Sequence, residues 1–176
     1  AGDAEAQAML GWYFYDHTSK DLREQAFKWF LAGAEQNHPL AVFGLGRCLA
    51  QGLGIKQDVA KAEAYYKEAK PGLLKLAEGG HAEAQFRLGA AYYNGQGVEK
   101  SATEAAIWSL KAAEQGVARA QMALASLYFQ GEGVVKNTAE AAKWIRKAAE
   151  QDFAEAQALL AKMYFAGQGV EKNYTD

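Results

Sequence analysis

Three histidines are the side chains of this sequence best suited to acid–base or metal chemistry. His17, His38 and His81 each fall in a turn of a different segment of the chain. A catalytic base or a metal site needs such an imidazole to converge with acidic groups or with further nitrogen and sulfur ligands. No spacing in the sequence indicates that convergence. We therefore interpret the histidines as solvated turn residues, and we predict neither a metal nor a cofactor.

The single cysteine offers little more chemistry. Cys48 lies beside Leu45 and Leu49 in a segment with helical periodicity, which favours a small packed residue over a reactive nucleophile. One cysteine also excludes an intrachain disulfide and a cysteine-based metal cage. Because the sequence shows no acid pair, catalytic triad or metal-ligand spacing, we predict that the chain is not an enzyme.

Paired glycines raise the question of a phosphate-binding loop. Gly95-Gln96-Gly97 and Gly131-Glu132-Gly133 share the GxG spacing of nucleotide-binding turns. Such a turn follows a β-strand and opens a helix, whereas these turns follow helical segments and recur in each regular copy of a repeat. They are therefore predicted to end helices, not to hold phosphates.

The charges are nearly balanced, with 19 basic and 21 acidic residues and a net charge of -2. Binding to nucleic acid or to an anionic membrane surface needs a basic excess, so neither is predicted. The basic residues of the second helices of the predicted repeat units alternate with glutamates and are predicted to form a solvated outer face. They are Lys61, Lys143, Arg146 and Lys147, interleaved with Glu63, Glu140 and Glu150. No apolar run approaches the roughly 20 residues that cross a bilayer, so no membrane insertion is predicted.

An internal repeat sets the architecture that positions these side chains. The segments 82–117 and 118–153 carry the same landmarks 36 residues apart, such as Trp108 and Trp144. Each copy is predicted to form two helices, because apolar residues recur at helical spacing and glycines end the first helix. The second helix begins at a capping residue followed three positions later by an acid. The predicted capping residues are Asp21, Ser101, Asn137 and Asn173.

These motifs resemble the Sel-one-like repeat family, whose members are related to tetratricopeptide repeats. The shared motifs are AEAQxxLGxxY, the xGxGV turn and EAAxWxxKAAEQG, and together they cover essentially the whole chain. The match is weaker in the first copy, where His17 and Ser19 stand in the glycine turn. It is weaker again in the second copy, where Val42 replaces the glutamine and Tyr65 the tryptophan. The resemblance implies an all-α, right-handed α-α superhelix, or solenoid, with a concave groove and a scaffold or adaptor role.

We predict one solenoid domain over residues 1–176, with about four and a half helical-hairpin repeats. The repeats span residues 4–38, 39–81, 82–117 and 118–153, and a half repeat covers 154–176. The first residues match those that close a repeat, and the chain stops as a second helix begins, so we interpret it as a fragment of a longer array. The family is common in bacteria, which favours a soluble protein of the bacterial cytoplasm or periplasm, although the sequence leaves the compartment open.

The second copy carries about seven extra residues around Lys67–Leu73, including Pro71-Gly72. One interpretation is a tolerated insertion, and the other is a bend of the solenoid that creates a local ledge or cleft. Because proline disfavours helix for the residue before it, the second helix is expected to lengthen and then break before Pro71.

In tetratricopeptide-like hairpins the first helices line the concave surface, and the resemblance implies the same here. Residues at i, i+3, i+7 and i+10 of each first helix form one stripe that faces away from the second helix. The predicted partner-binding residues on or beside this stripe are Trp12, Tyr15, Phe43, Arg47, Phe86, Arg87, Tyr93, Asn94, Met122, Phe129 and Lys162. Aromatic rings with arginine and asparagine suit a peptide groove. The alternative is that these rings pack between hairpins, above all those that recur at one repeat position, as Tyr15, Tyr93, Phe129 and Phe165 do.

The leading hypothesis is a scaffold or adaptor that binds another protein or an extended peptide along this groove. Self-association through the terminal repeats is an additional prediction, because a cut array exposes an apolar face. The alternative from another class is a carbohydrate-binding or cell-envelope-associated regulatory module, since aromatic grooves also suit sugar rings.

Overall fold

The computed structural model describes residues 2–17 and 19–168. In this part of the chain every regular element is an α-helix, and consecutive helices pack against one another within residues 4–51 and within residues 82–166. The helices are α1 (Ala4–Tyr15), α2 (Lys20–Ala34), α3 (Pro39–Gln51), α4 (Val59–Glu78), α5 (Ala82–Asn94), α6 (Ala102–Glu114), α7 (Ala118–Gln130), α8 (Thr138–Ala149) and α9 (Ala154–Ala166). The predicted all-α solenoid class is confirmed.

The signals that begin and end these helices act as the sequence predicts in the regular copies. Gly95 and Gly131 cap the C-termini of α5 and α7 with φ of 71° and 77°. A side chain in this left-handed region costs roughly 1–2 kcal/mol, which explains the glycines. At the start of α6, Ser101 Oγ accepts a hydrogen bond from the Glu104 amide at 3.2 Å. At the start of α8, Asn137 Oδ1 accepts from the Glu140 amide at 3.0 Å.

The cap predicted at Asp21 is wrong. The helix α2 begins at Lys20, and its N-cap is Ser19, whose side chain makes no capping hydrogen bond. Asp21 lies inside the first turn, where a carboxylate is stabilised by the helix dipole without capping an amide. An acid near a helix start therefore does not identify the first residue. The cap predicted at Asn173 lies outside the described residues.

The break predicted before Pro71 is also wrong, whereas the lengthening is observed. The helix α4 continues through Pro71 and is 20 residues long in total. Ala69 and Leu73 are buried on either side of the proline, and their packing holds the helix together. Pro71 itself is exposed, so the carbonyl group that loses its hydrogen bond lies on the solvent side.

The chain divides into two compact units. The N-terminal unit is Ala1–Leu76 with Gln96–Glu99, and the C-terminal unit is Ala77–Gly95 with Lys100–Asp176. Each unit has its own buried core.

The core of the N-terminal unit is organised around one aromatic ring. Phe30 on α2 is fully buried. A Cβ atom placed on Gly11 of α1 or on Gly44 of α3 would lie 2.4 Å from the ring of Phe30. These two glycines therefore let helices of successive repeats close on the ring.

The core of the C-terminal unit is built mainly from small residues. Its buried cluster combines alanines of α6, α7 and α8 with Leu124, Trp144, Ile145 and Met163. Alanine lets helices approach closely, so the few large side chains determine where space is filled and where it stays open.

Candidate functional site

A cleft of about 180 Å³ opens between α5 and α7 of the C-terminal unit. Its floor comes from α6, the second helix of the same repeat. The lining residues are Phe86, Gly89, Ala90, Tyr93 and Asn94 on α5, Ala105 and Ser109 on α6, and Ala123, Ser126 and Leu127 on α7. The surface is thus apolar with a few polar groups, as in sites that bind an organic ligand or a peptide side chain.

A second cleft of about 420 Å³ lies between α7 and α9. It is lined by Met122, Ala123, Ala125, Ser126 and Phe129 on α7, by Ile145 on α8, by Glu155, Leu159 and Met163 on α9, and by Gln168. Ala123 and Ser126 line both clefts, so α7 forms a shared wall between them. The two clefts together are called the α5–α7–α9 groove below.

The first cleft exists because one repeat position carries a small residue. The residue after the tryptophan or its replacement is Phe30 in the first copy, Tyr66 in the second and Ser109 in the third. In the N-terminal unit, Phe30 and Tyr66 are buried and fill the space beside the glycines of the first helices. In the third copy Ser109 leaves that space open to the surface beside Gly89.

Gly89 brings α5 and α6 close together at the floor of this cleft. A Cβ atom at Gly89 would lie 2.9 Å from Ser109 Oγ and 3.3 Å from the Ala105 carbonyl oxygen. Ser109 is only 3% exposed, so its hydroxyl group lies at the base of the cleft and not at its rim. The floor is therefore narrow, and its polar group is a single hydroxyl.

Tyr93 is held in place at the mouth of the cleft by charged neighbours. Its hydroxyl group donates a hydrogen bond to the Glu132 carboxylate, and this bond with the negative charge raises the pKa of Tyr93. The ammonium group of Lys100 lies 5.6 Å from the centroid of the same ring. Beside it, Asn94 Nδ2 donates to the Ala90 carbonyl group at 2.8 Å, which fixes the amide at the end of α5. The rim is thus polar and ordered around an apolar floor.

Five of the predicted binding residues line this groove. Phe86, Tyr93 and Asn94 line the first cleft, and Met122 and Phe129 line the second. Phe129 is 41% exposed, whereas Phe86 and Met122 pack partly on the core. Their role in binding stays a prediction, but each presents surface to a ligand in the groove.

Two further predicted residues of the C-terminal unit lie elsewhere. Arg87 is 5% exposed, pairs with Glu83 at 2.6 Å and lies over the Phe86 ring at 4.7 Å. Arg87 therefore packs against the Phe86 ring and offers little exposed surface to a partner. Lys162 is exposed on α9 but is not among the residues lining either cleft.

The predicted residues of the N-terminal unit are mostly core residues. Trp12, Tyr15 and Phe43 are 2%, 6% and 1% exposed. The Trp12 ring lies edge-on to Phe30 of its own hairpin at 4.8 Å and meets Phe43 of the next repeat at 6.2 Å between centroids, so packing within and between hairpins accounts for its burial. Arg47 is partly buried and donates from Nε to the Tyr15 hydroxyl group at 2.9 Å. The geometry thus favours the packing alternative for these three rings.

Sequence reasoning missed the side chains that form the floor of the groove. Ser109, Ala123 and Leu159 were not among the predicted residues, because they are small or lie outside the stripe. The available signal was the position after the tryptophan, where Phe30 and Tyr66 give way to Ser109. A large-to-small change at a shared core position indicates a cavity.

The described part of the chain shows no obvious catalytic arrangement. Within residues 2–17 and 19–168, no three His, Cys, Asp or Glu side chains converge as metal ligands would. His81 instead caps α5, its Nδ1 accepting from the Ala84 amide at 3.2 Å. Across the same residues, no helix combines the length and the apolarity needed to span a bilayer.

The Sel1 repeat family model matches this chain at residues 4–38, 39–70, 82–117, 118–153 and 154–175. The chain belongs to the Sel1 repeat family. The resemblance inferred from the motifs is thereby confirmed. Sel1 repeat proteins are generally non-catalytic scaffolds that mediate protein–protein interactions.

Solved structures similar to this Sel1 repeat chain come from bacteria. The Sel1 repeat protein of Oxalobacter formigenes is 32% identical with a TM-score of 0.64, over 97% of this chain and 66% of that one. A protective antigen of uropathogenic Escherichia coli is 38% identical with a TM-score of 0.62, over 98% of this chain and 36% of that one. Cysteine-rich protein B of Helicobacter pylori, 24% identical with a TM-score of 0.50 over 83% of this chain and 99% of that one, shares the fold.

A curated relative is chitin synthase regulatory factor 3 of Schizosaccharomyces pombe. It is 34% identical over 94 residues, which are 53% of this chain and 9% of that protein. The chain therefore spans less than two thirds of the length of that protein, of the Oxalobacter protein and of the Escherichia coli antigen.

Proposed function

We propose that this Sel1 repeat chain is a scaffold that binds an extended protein segment in the α5–α7–α9 groove, with an apolar side chain of the partner inserted into the α5–α7 cleft. The observation that carries this proposal is the open space at Ser109, which Phe30 and Tyr66 fill in the first two copies. An aromatic or aliphatic side chain of a partner would occupy the position that those rings occupy within the protein.

The rim suits the main chain of such a segment. Tyr93 and Asn94 stand at the mouth of the cleft and place hydroxyl and amide groups beside an apolar floor. Extended peptides are recognised by this combination, because pockets select side chains while rim groups bond to the backbone. Interface energies concentrate in a few such buried anchors.

The direct test fills the cleft from inside. The variant Ser109→Phe with Ala123→Gly places a phenylalanine between Gly89 of the third copy and a glycine of the fourth, as Phe30 lies between Gly11 of the first copy and Gly44 of the second. A random peptide library displayed on phage is selected on the wild-type chain, and the enriched peptides are then titrated against the variant. We expect the enriched peptides to carry an aromatic or aliphatic anchor, and we expect their affinity to fall by at least about tenfold, since a buried anchor typically contributes 2 kcal/mol or more.

Two surface variants leave the floor of the cleft unchanged. One lies inside the groove, and the other lies outside it as a matched control. Ser126→Arg places a long charged side chain at the wall shared by the two clefts. Ile107→Arg makes the same charge change on α6, where Ile107 is exposed outside both clefts. Ser126→Arg is expected to block the selected peptides, and Ile107→Arg is expected to leave them bound. Equal binding to all variants, or a library that yields no groove-dependent peptide, would refute the proposal.

A carbohydrate-binding or envelope-regulatory module is the second candidate, and one observation favours it. The yeast relative is named as a regulatory factor of chitin synthase, an enzyme that makes a polysaccharide. The partly exposed Tyr93 ring beside Asn94 would suit a sugar ring. A glycan array separates the two candidates: glycan binding that Ser126→Arg abolishes would favour this one, and an array without hits would dismiss it.

A further inference from the structure

Two arginines of the N-terminal unit share one aromatic ring. The guanidinium carbon of Arg47, on α3, lies 5.4 Å from the centroid of the Tyr15 ring. The guanidinium carbon of Arg23, on α2, lies 5.9 Å from the same centroid. Three helices thus bring two permanent positive charges to one place.

The ring between them is rigidly held. Tyr15 is 6% exposed and meets Trp12 edge-on at 5.3 Å between centroids. It also packs near the fully buried Phe30, at 6.3 Å. Because the core fixes Tyr15, the two guanidinium groups lie beside a ring whose position does not depend on a ligand.

The hydrogen bonds of both arginines go to neutral oxygen atoms. Arg47 donates from Nε to the Tyr15 hydroxyl group at 2.9 Å and from Nη1 to Gln96 Oε1 at 3.1 Å. Arg23 donates from Nη2 to Gln51 Oε1 at 2.9 Å. Each guanidinium has five N–H groups, so both keep donors for another acceptor. Within the described residues the hydrogen-bond partners of both arginines are thus neutral, so no hydrogen-bonded carboxylate offsets the desolvation of these partly buried charges.

The acidic neighbours of Arg23 on α2 face another surface. Asp21 and Glu24 line a separate shallow cleft together with Phe27, Lys28 and Gly54. The positive charges of the two arginines also act on Cys48. Burial raises the pKa of the Cys48 thiol, and the charges of Arg47 and Arg23 act against that rise.

We propose that Arg23 and Arg47, mounted on Tyr15, bind a carboxylate group of an acidic protein segment. A guanidinium presents parallel N–H groups that match the two oxygens of a carboxylate, and the hydrogen bond of Arg47 to the Tyr15 hydroxyl group leaves its other N–H groups available. Gln51 is exposed, so the site opens to solvent at that end. This site belongs to the N-terminal unit and does not depend on the groove of the C-terminal unit.

The test uses the whole chain and a fluorescein-labelled peptide of glutamates with neutral capped ends. Its affinity is measured by fluorescence anisotropy for wild type, Arg23→Gln, Arg47→Gln and Lys28→Gln. Lys28 is an exposed residue of the same helix as Arg23, so Lys28→Gln makes the same charge change away from the site. We expect each arginine substitution to weaken binding about tenfold or more, because hydrogen bonds to charged groups are strong. We expect Lys28→Gln to remain within about twofold, as a solvated charge contributes little.

Arg47→Lys and inorganic phosphate complete the experiment. Arg47→Lys keeps the charge and loses the planar pair of donors, so it should weaken binding while the circular dichroism spectrum stays that of the wild type. Absence of peptide binding to the wild type overturns the proposal, and so does equal weakening by Lys28→Gln and Arg23→Gln, which would indicate general charge attraction. Stronger competition by phosphate than by acetate would overturn the assignment to a carboxylate. The Ser109→Phe groove variant should bind the glutamate peptide normally, so failure of this site and failure of the groove are distinguishable.

Discussion

Gln115 Nε2 donates a hydrogen bond to Gln85 Oε1 at 2.7 Å, joining the end of the second helix of a repeat to its first helix. Gln85 in turn donates from Nε2 to the Ala77 carbonyl group at 3.0 Å, and it is only 5% exposed. The pairs Gln151–Gln121 and Gln36–Gln7, each at 2.9 Å, repeat this arrangement. In the second copy both partners are lost together, since Val42 and Gly79 occupy the two positions. The glutamines of the repeat motif therefore act as a pair.

The first prediction follows from that pairing. Gln85→Val should destabilise the chain by about 1–3 kcal/mol, because it leaves the buried Ala77 carbonyl group without its donor and removes one of the two acceptors of the Gln115 amide. In a double-mutant cycle with Gln115→Ala, measured by urea unfolding, the two changes should show a coupling of about 0.5–3 kcal/mol. Gln85→Val combined with Gln151→Ala should be additive, because Gln151 bonds to Gln121 and not to Gln85. Additive effects in both cycles would show that the pair is incidental.

The second prediction concerns the turn glycines. Gly133 has a φ of 69°, and a Cβ atom there would lie 2.1 Å from the Ala102 carbonyl oxygen. Gly116 has a φ of 87°, and a Cβ atom there would meet nothing within 4 Å. Gly116→Ala should therefore cost only the left-handed strain of about 1–2 kcal/mol. Gly133→Ala should cost more, because the turn must also move away from α6. Equal unfolding midpoints for the two variants would contradict this account of the turn.

The third prediction separates core rings from groove rings. Phe43→Ala should lower the free energy of unfolding by about 3–5 kcal/mol, because its ring is buried against Trp12 and Tyr66. Phe129→Ala should cost far less stability, since its ring is 41% exposed, and should instead weaken peptides that reach the α7–α9 cleft. Thermal unfolding and peptide titration of both variants give the comparison. A small stability loss for Phe43→Ala would return that residue to the candidate binding surface.

The fold was predictable from the sequence because its signals are local and repeated. Gly95, Ser101 and Asn137 act within one helix end, so their meaning does not depend on the rest of the chain. The burial of Trp12 was not predictable in this way. The stripe on a first helix is expected to face away from its own second helix, but Phe30 of α2 and Phe43 of α3 both pack against the Trp12 ring and cover it. Whether the space beside a first helix is filled depends on residues of a second helix, such as Phe30 or Ser109.

The fourth prediction concerns the thiol group of Cys48. Burial raises the pKa of Cys48 from 9.0 to about 12, so the folded chain keeps a proton that the unfolded chain releases over this range. The resulting contribution to stability is complete below pH 9.0 and decreases as the pH rises toward about 12. Iodoacetamide at pH 9.0 should therefore leave the native thiol unmodified and alkylate it fully in guanidinium. Rapid modification of the native chain would show that the site opens frequently.

The proposed partner occupies the groove between the first helices of the C-terminal unit. The most direct test of this proposal is photo-cross-linking of a selected peptide that carries a photoreactive phenylalanine at its apolar anchor, followed by mapping of the linked residues by mass spectrometry. The account predicts cross-links to residues 82–94 of α5 and 118–130 of α7, and their loss in the Ser109→Phe/Ala123→Gly variant. Cross-links confined to the outer residues of α6 and α8, or unchanged in that variant, would contradict it.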